Sequence, residues 1–207
     1  MDNSAVDTND SSAAAQPGPG PTIAISRVAL IHGGVALGLL STFAIGDSWR
    51  LLTDLPLAGL MSVLAALFAG ALLTTLIHEW FHYFGVLVSK AQYSRVSKVG
   101  LFVFNWDFQA NSTRQFLIMS LAGTLGSVVG VTLFTLTMPA DSAGRAALQA
   151  AAWGSLVFAA AIEWPVLRRV FKGGEPLAEL LRINQDVLRR SAISSVIATL
   201  FAWWLIL

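Results

Sequence analysis

Long apolar stretches constrain this chain more than any other feature of its sequence. Residues 55–77, 116–138, 146–162 and 192–207 carry no charge, and residues 23–45 carry only Arg27. A bilayer core about 30 Å thick is crossed by roughly 20 apolar residues in an α-helix. We therefore predict an all-α, polytopic membrane helical bundle with about five transmembrane helices, near residues 23–45, 57–88, 115–138, 146–165 and 191–207.

Composition supports the same class and excludes several others. Of the 207 residues, 55% are hydrophobic and only 12% are charged, whereas soluble domains carry about 25% charged residues. A disordered chain, a nucleic-acid-binding basic protein and a disulfide-stapled module are excluded. The absence of cysteine rules out thiol catalysis and Cys-ligated zinc. Residues 1–21 are too polar and too rich in Gly and Pro to form a core, so they are predicted to be a disordered tail before a membrane domain over residues 22–207.

The distribution of basic residues predicts an orientation. Eleven of the 13 Lys and Arg residues fall on one side of the predicted spans, mainly in residues 89–114 and 166–190, and only Arg50 and Arg145 fall on the other side. Basic loops are retained in the cytoplasm. The sequence thus predicts an integral protein of a bacterial inner membrane with a cytoplasmic amino terminus.

Two connecting segments have a pattern of their own. Residues 99–108 are rich in aromatic and β-branched residues, which indicates a short strand-like or interfacial segment after the second helix. Residues 176–190 combine leucines with arginines, which predicts an amphipathic helix lying on the membrane surface.

The second predicted helix contains His78-Glu79-Trp80-Phe81-His82. Two histidines four residues apart lie one above the other on a helix, so both imidazoles can face one metal ion. Glu79, beside the first histidine, is placed to act as a general base toward water. Zinc suits such a site because it accepts nitrogen and oxygen ligands and keeps an open position.

Catalytic zinc usually has three protein ligands, and the third is sought at the same membrane depth. Glu163 is preferred, since it follows an uncharged stretch near the same end of its helix, although it can instead be the partner of an arginine such as Arg168. The alternatives left open are Asp107, His32, Glu175 and Asp186.

Three segments together resemble the site-2 intramembrane metalloproteases. They are the His78–His82 motif; the small-residue segment Ser120-Leu121-Ala122-Gly123-Thr124-Leu125-Gly126-Ser127, where the family has a Leu-Ala-Gly-Pro-Leu-Ala-Asn-like sequence; and Glu163-Trp164-Pro165 followed by Gly173-Gly174. The resemblance covers roughly residues 57–185. In the family an Asp before that glycine binds zinc, but Lys172 stands there in this chain. The resemblance implies zinc-dependent proteolysis within the membrane, whereas the small residues 120–130 by themselves predict close helix packing.

The sequence therefore favours a metallopeptidase in which His78, His82 and Glu163 hold Zn²⁺ and Glu79 is catalytic. The expected reaction is hydrolysis of a peptide bond in a membrane protein near the cytoplasmic leaflet, with Asn105 and Asp107 binding the substrate. The expected partners are that membrane-protein substrate and the lipid bilayer, and a partner subunit is left open. Two alternatives remain: a non-catalytic membrane scaffold or accessory subunit with a relict protease fold, and a membrane proton or ion path.

Overall fold

The computed structural model describes residues 22–207, so the predicted tail over residues 1–21 lies outside the described residues. Residues 22–207 form six helices and one small sheet. The helices are α1 (Ile25–Thr53), α2 (Pro56–Ser89), α3 (Thr113–Thr137), α4 (Ala143–Phe171), α5 (Pro176–Leu180) and α6 (Gln185–Ile206), and the strands are β1 (Tyr93–Arg95) and β2 (Phe104–Trp106). The all-α bundle with a short strand segment after the second helix is confirmed.

The central helix of the bundle is α2, which packs against α1, α3 and α4, while α6 packs along α4. The core consists of small and branched apolar side chains, among them Ala66, Ala69, Ala147 and Leu148. A helix backbone satisfies its own hydrogen bonds, so it can pack by close van der Waals contact where lipid surrounds it. At Gly70, a Cβ would lie 2.2 Å from the carbonyl oxygen of Leu148, which fixes α2 and α4 at backbone contact.

Four helices, α1 to α4, are long and apolar enough to cross a membrane, as judged by length and composition. The chain is an integral membrane protein on this evidence. The predicted fifth span corresponds to α6, which is not one of these four. Its first turns carry Asp186, Arg189 and Arg190, so its apolar part begins only near Ser191. Trp203 at its far end nevertheless donates a hydrogen bond to the carbonyl oxygen of Ala143, at the start of α4.

Two helices are longer than predicted, and each extension has a physical reason. Helix α1 continues past the predicted end at residue 45 to Thr53, because Asp47 is buried and ion-paired within the bundle. Its Oδ2 accepts from Arg145 Nε at 2.8 Å, and its Oδ1 accepts from Ser142 and Ser62. Helix α4 passes Pro165 and ends at Phe171, because a proline removes a single backbone hydrogen bond and neighbouring helices hold the remainder.

The prediction of one amphipathic helix over residues 176–190 is wrong. The segment divides into α5 and the first turn of α6, separated at Leu181–Asn184, where the Asn184 side chain caps α6 by accepting from the Val187 amide. Glu179 is buried rather than exposed, and its carboxylate binds Arg169 and Arg182. This ion cluster holds α5 against the end of α4 and interrupts a continuous helix.

The strands β1 and β2 form an antiparallel pair with Ser94 opposite Asn105. Aromatic side chains from this hairpin, including Phe104 and Trp106, pack on Phe116, Val166 and Val170 of the bundle. The hairpin therefore lies against α3 and α4 at the end of the bundle where α2 ends.

Candidate metal centre

Three side chains from two helices meet at one point. His78 and His82 lie one turn apart on α2, and their Nε2 atoms are 2.9 Å apart. Glu163 Oε1, from α4, lies 2.9 Å from His78 Nε2 and 3.0 Å from His82 Nε2. The structure thus brings together the three residues that the sequence proposes as metal ligands.

The other nitrogen of each imidazole is held by α3. His82 Nδ1 lies 2.9 Å from the carbonyl oxygen of Met119, and His78 Nδ1 lies 2.8 Å from the Ser127 hydroxyl. A carbonyl oxygen only accepts, so His82 Nδ1 carries a hydrogen and donates it. In neutral His82 the Nε2 atom is therefore a bare lone pair that faces a carboxylate oxygen.

A lone pair that faces an anionic oxygen at 3.0 Å is repulsive unless a positively polarised group lies near both atoms. The Nε2–H of a neutral His78, which lies 2.9 Å from each of the two atoms, an additional proton or a metal ion can fill that role. Metal-binding histidines typically donate their second ring N–H to a carbonyl, hydroxyl or carboxylate, and the contacts with Met119 and Ser127 have that form.

Two glycines of α3 allow this helix to approach the histidines. A Cβ at Gly123 would lie 2.2 Å from His82 Cε1, and a Cβ at Gly126 would lie 2.6 Å from Phe81 Cβ. Both distances are far inside van der Waals contact, so only glycine fits with the ring in place. The close packing predicted for the small residues of α3 is present, and it is directed at the imidazoles.

Glu163 uses one carboxylate oxygen in this cluster and leaves the other without a partner. Within residues 22–207, Glu163 Oε2 is buried and makes no hydrogen bond. The alternative expectation, in which an arginine pairs with Glu163, is not what the structure shows, because the recorded partners of Glu163 are the two histidines. A buried carboxylate oxygen without a donor is costly, and a bidentate metal contact or a water would satisfy it.

Glu79 and the two histidines offer ligand atoms that all lie within 4.8 Å of one another. Glu79 and Glu163 thus flank the imidazoles from two helices. Glu163 Oε1 lies within 3.0 Å of both Nε2 atoms, whereas the ligand atom of Glu79 belongs to the wider group that spans 4.8 Å. Both carboxylates line a cavity of about 750 Å³ whose wall is otherwise mostly apolar, including Phe102, Phe158 and Leu188.

The donor set fits zinc in kind and closely in spacing. Ligands about 2.0–2.2 Å from a tetrahedral ion are about 3.3–3.6 Å apart, and the three atoms here are 2.9–3.0 Å apart. Each pair would need to separate by a few tenths of an ångström, which side-chain rotation can provide. Two imidazoles and one carboxylate form a ligand set typical of hydrolytic zinc sites.

The other sequence candidates are engaged elsewhere. His32 Nε2 lies 2.8 Å from the carbonyl oxygen of Gly100, and its Nδ1 accepts from Trp80 Nε1. Asp107 Oδ1 accepts from the amides of Gln109 and Ala110. The Glu175 carboxylate caps α5, and Asp186 is exposed in the first turn of α6. The structure does not group these four residues with the paired histidines.

The predicted substrate-binding pair is divided. Asn105 lines the large cavity, while its amide nitrogen also donates to the Arg95 carbonyl at 3.3 Å. Asp107 is not among the residues that line the cavity, and its carboxylate shapes the loop after β2 instead.

Sequence reasoning missed the two α3 groups that orient the histidines. Ser127 was read only as a packing residue, and a backbone carbonyl such as that of Met119 carries no sequence signal. The periodicity of α3 offered a clue, because Ser120, Gly123 and Ser127 follow one another at helical spacing on one face.

Comparisons with known proteins found no match: no family model, no curated protein and no solved structure resembles this chain significantly.

Proposed function

We propose that the protein is a zinc-dependent intramembrane endopeptidase that hydrolyses a peptide bond of a membrane protein. The observation that carries the proposal is the convergence of His78 Nε2, His82 Nε2 and Glu163 Oε1 within 3.0 Å of one another. A metal ion between the His82 lone pair and Glu163 Oε1 would bind both atoms. A bound zinc ion would supply Lewis acidity, which makes water more acidic and polarises the scissile carbonyl.

Glu79 performs the proton transfers in this proposal. Its carboxylate accepts a proton from water while the water oxygen bonds to the carbonyl carbon of the substrate. It then delivers that proton to the amide nitrogen as the C–N bond breaks. Glu79 belongs to the same helix turn as His78, so the base and the ligands are held in one rigid frame.

The cavity favours an apolar peptide as substrate. Its wall joins helices α2, α3 and α4 to the hairpin, and it is lined mostly by aromatic and aliphatic side chains. A helical substrate must unwind, because its amide groups are otherwise hydrogen-bonded and shielded. An extended segment would add to the hairpin at β2 by main-chain hydrogen bonds; a proline at Asn105 should then block cleavage and leave metal content unchanged.

The first test is the metal content of the purified full-length protein. We expect about one zinc per chain in the wild type and near-complete loss in the double variant His78→Ala/His82→Ala. Glu79→Gln should retain the metal, with Glu175→Gln as the matched control for loss of one carboxylate. Wild-type protein without bound metal would contradict the proposal and favour the proton path.

The second test is cleavage in cells. New protein amino termini in membranes should appear when the wild type is expressed and should be absent with Glu79→Gln, at equal protein levels. A Glu79→Gln variant that binds zinc and yields the same termini as the wild type would remove the catalytic assignment. A zinc-binding wild type that yields no new termini would favour the scaffold.

A further inference from the structure

A second cavity lies beside the metal centre, between the end of α4 and the start of α6. It has a volume of about 280 Å³, and three arginines line it, namely Arg169, Arg182 and Arg190. The remaining lining residues are apolar, among them Ile162 and Val187. A cavity lined by basic and apolar residues is suited to a ligand that has an anionic group and a hydrocarbon part.

The charge of this cavity is only partly neutralised. Arg169 and Arg182 share one carboxylate, that of the buried Glu179. Within residues 22–207, no carboxylate lies within salt-bridge distance of Arg190. The three arginines and Glu179 therefore carry a net charge of about +2, which an anionic ligand would neutralise.

Neighbouring side chains indicate that the cavity lies at the level of lipid headgroups. Trp164 and Phe171 of α4 and Leu181 before α6 are 57%, 61% and 75% exposed. Aromatic residues with arginines at the end of a membrane helix are typical of the interface. Arg168 and Arg189 are exposed nearby but do not line the cavity.

We propose that this cleft binds an anionic phospholipid, with the lipid phosphate on Arg182 and Arg190 and an acyl chain against the apolar wall. Guanidinium groups bind phosphate oxygens in bidentate geometry, and basic pockets between membrane helices bind anionic headgroups. Glu179 holds Arg169 and Arg182 in position before the lipid arrives. The assignment does not depend on the peptidase proposal.

The cleft shares a wall with the metal-site cavity. Ile162, Val166 and Ile183 line both, and Ile162 immediately precedes Glu163. A bound lipid would therefore hold the α5–α6 connection against α4 at the wall that carries the carboxylate.

The test uses the full-length protein in nanodiscs of phosphatidylcholine alone or with one-fifth phosphatidylglycerol. Native mass spectrometry should detect phosphatidylglycerol retained by the wild type, and the melting temperature should rise with that lipid. Arg182→Gln/Arg190→Gln should bind it about thirtyfold more weakly, which corresponds to about fivefold for each charge removed near the membrane surface. Arg168→Gln/Arg189→Gln removes the same charge outside the cleft and should retain the lipid.

Equal loss in both double variants would overturn the cleft assignment, because it would show attraction by net charge alone. Inorganic phosphate added to phosphatidylcholine nanodiscs should not raise the melting temperature, and an equal rise would overturn the lipid assignment. If the Arg182→Gln/Arg190→Gln protein does not fold, the single variant Arg190→Gln tests the proposal. This variant should fold, because Arg190 makes no salt bridge within residues 22–207. Unchanged lipid retention by Arg190→Gln would refute the proposal.

Discussion

Removing the Ser127 hydroxyl should weaken metal binding without unfolding the protein. This hydroxyl lies 2.8 Å from His78 Nδ1, and the side chain is 1% exposed, so water cannot readily replace it. In Ser127→Ala the ring would lose its only recorded polar contact outside the metal cluster. Losses of such second contacts to metal-binding histidines reduce metal affinity by about 10–100-fold, or about 1.4–2.7 kcal/mol.

The matched control is Ser120→Ala. Ser120 is also buried on α3, 6% exposed, and it lines the large cavity. No hydrogen bond to either histidine is recorded for it in residues 22–207, so its alanine variant loses the same atom without touching the ligands.

The assay is competition for zinc against a chelator of known affinity, with the melting temperature measured in parallel. Ser127→Ala should release zinc at a 10–100-fold lower chelator concentration, and Ser120→Ala should behave as the wild type. Wild-type zinc affinity in both variants would refute the reasoning that α3 orients His78. An equal fall in both would show that loss of packing, rather than the hydrogen bond, is responsible.

Two further predictions concern packing and ion pairing. Gly123→Ala places a methyl group where the His82 imidazole now lies, so this variant should lose zinc binding. Gly38→Ala is the control, because a Cβ at Gly38 has nothing within 4 Å, and it should bind zinc as the wild type does. Wild-type zinc content in Gly123→Ala would contradict the packing at this glycine. Asp47→Ala leaves Arg145 without its buried partner and should lower the free energy of unfolding by about 3 kcal/mol. This is the low end for a broken buried ion pair, because the Arg145 side chain is 24% exposed. Asp141→Ala, which removes the exposed partner of the same arginine, should cost no more than about 1 kcal/mol. Thermal melting in detergent compares the two, and similar losses would mean that burial of Asp47 adds nothing.

Local sequence patterns predicted those parts of the fold that depend on local periodicity. The uncharged runs placed α2 and α3 within a few residues, and the four-residue spacing placed both imidazoles on one face of α2. The choice of Glu163 rested on membrane depth, which follows from the distance of each residue from the end of its helix. These signals need no knowledge of which helices touch.

The parts that escaped prediction depend on tertiary contacts. The first span was predicted to end near residue 45, yet α1 continues through Asp47 because Arg145, almost a hundred residues away, neutralises that carboxylate. The division between α5 and α6 depends on Glu179 and its two arginines in the same way. The Asn184 cap was a local signal for the start of α6, but the leucine–arginine pattern concealed it.

The part played by α3 explains why the motif on α2 is not sufficient to define a site. A His-Glu-x-x-His sequence places two rings on one face, but it fixes neither their rotation nor their tautomers. Here the Met119 carbonyl requires a hydrogen on His82 Nδ1, and that requirement turns a bare Nε2 toward Glu163. Gly123 lets α3 come close enough for this contact. The candidate site thus follows from three helices meeting, and the metal content of the purified protein distinguishes a bound zinc ion from a proton shared within the cluster.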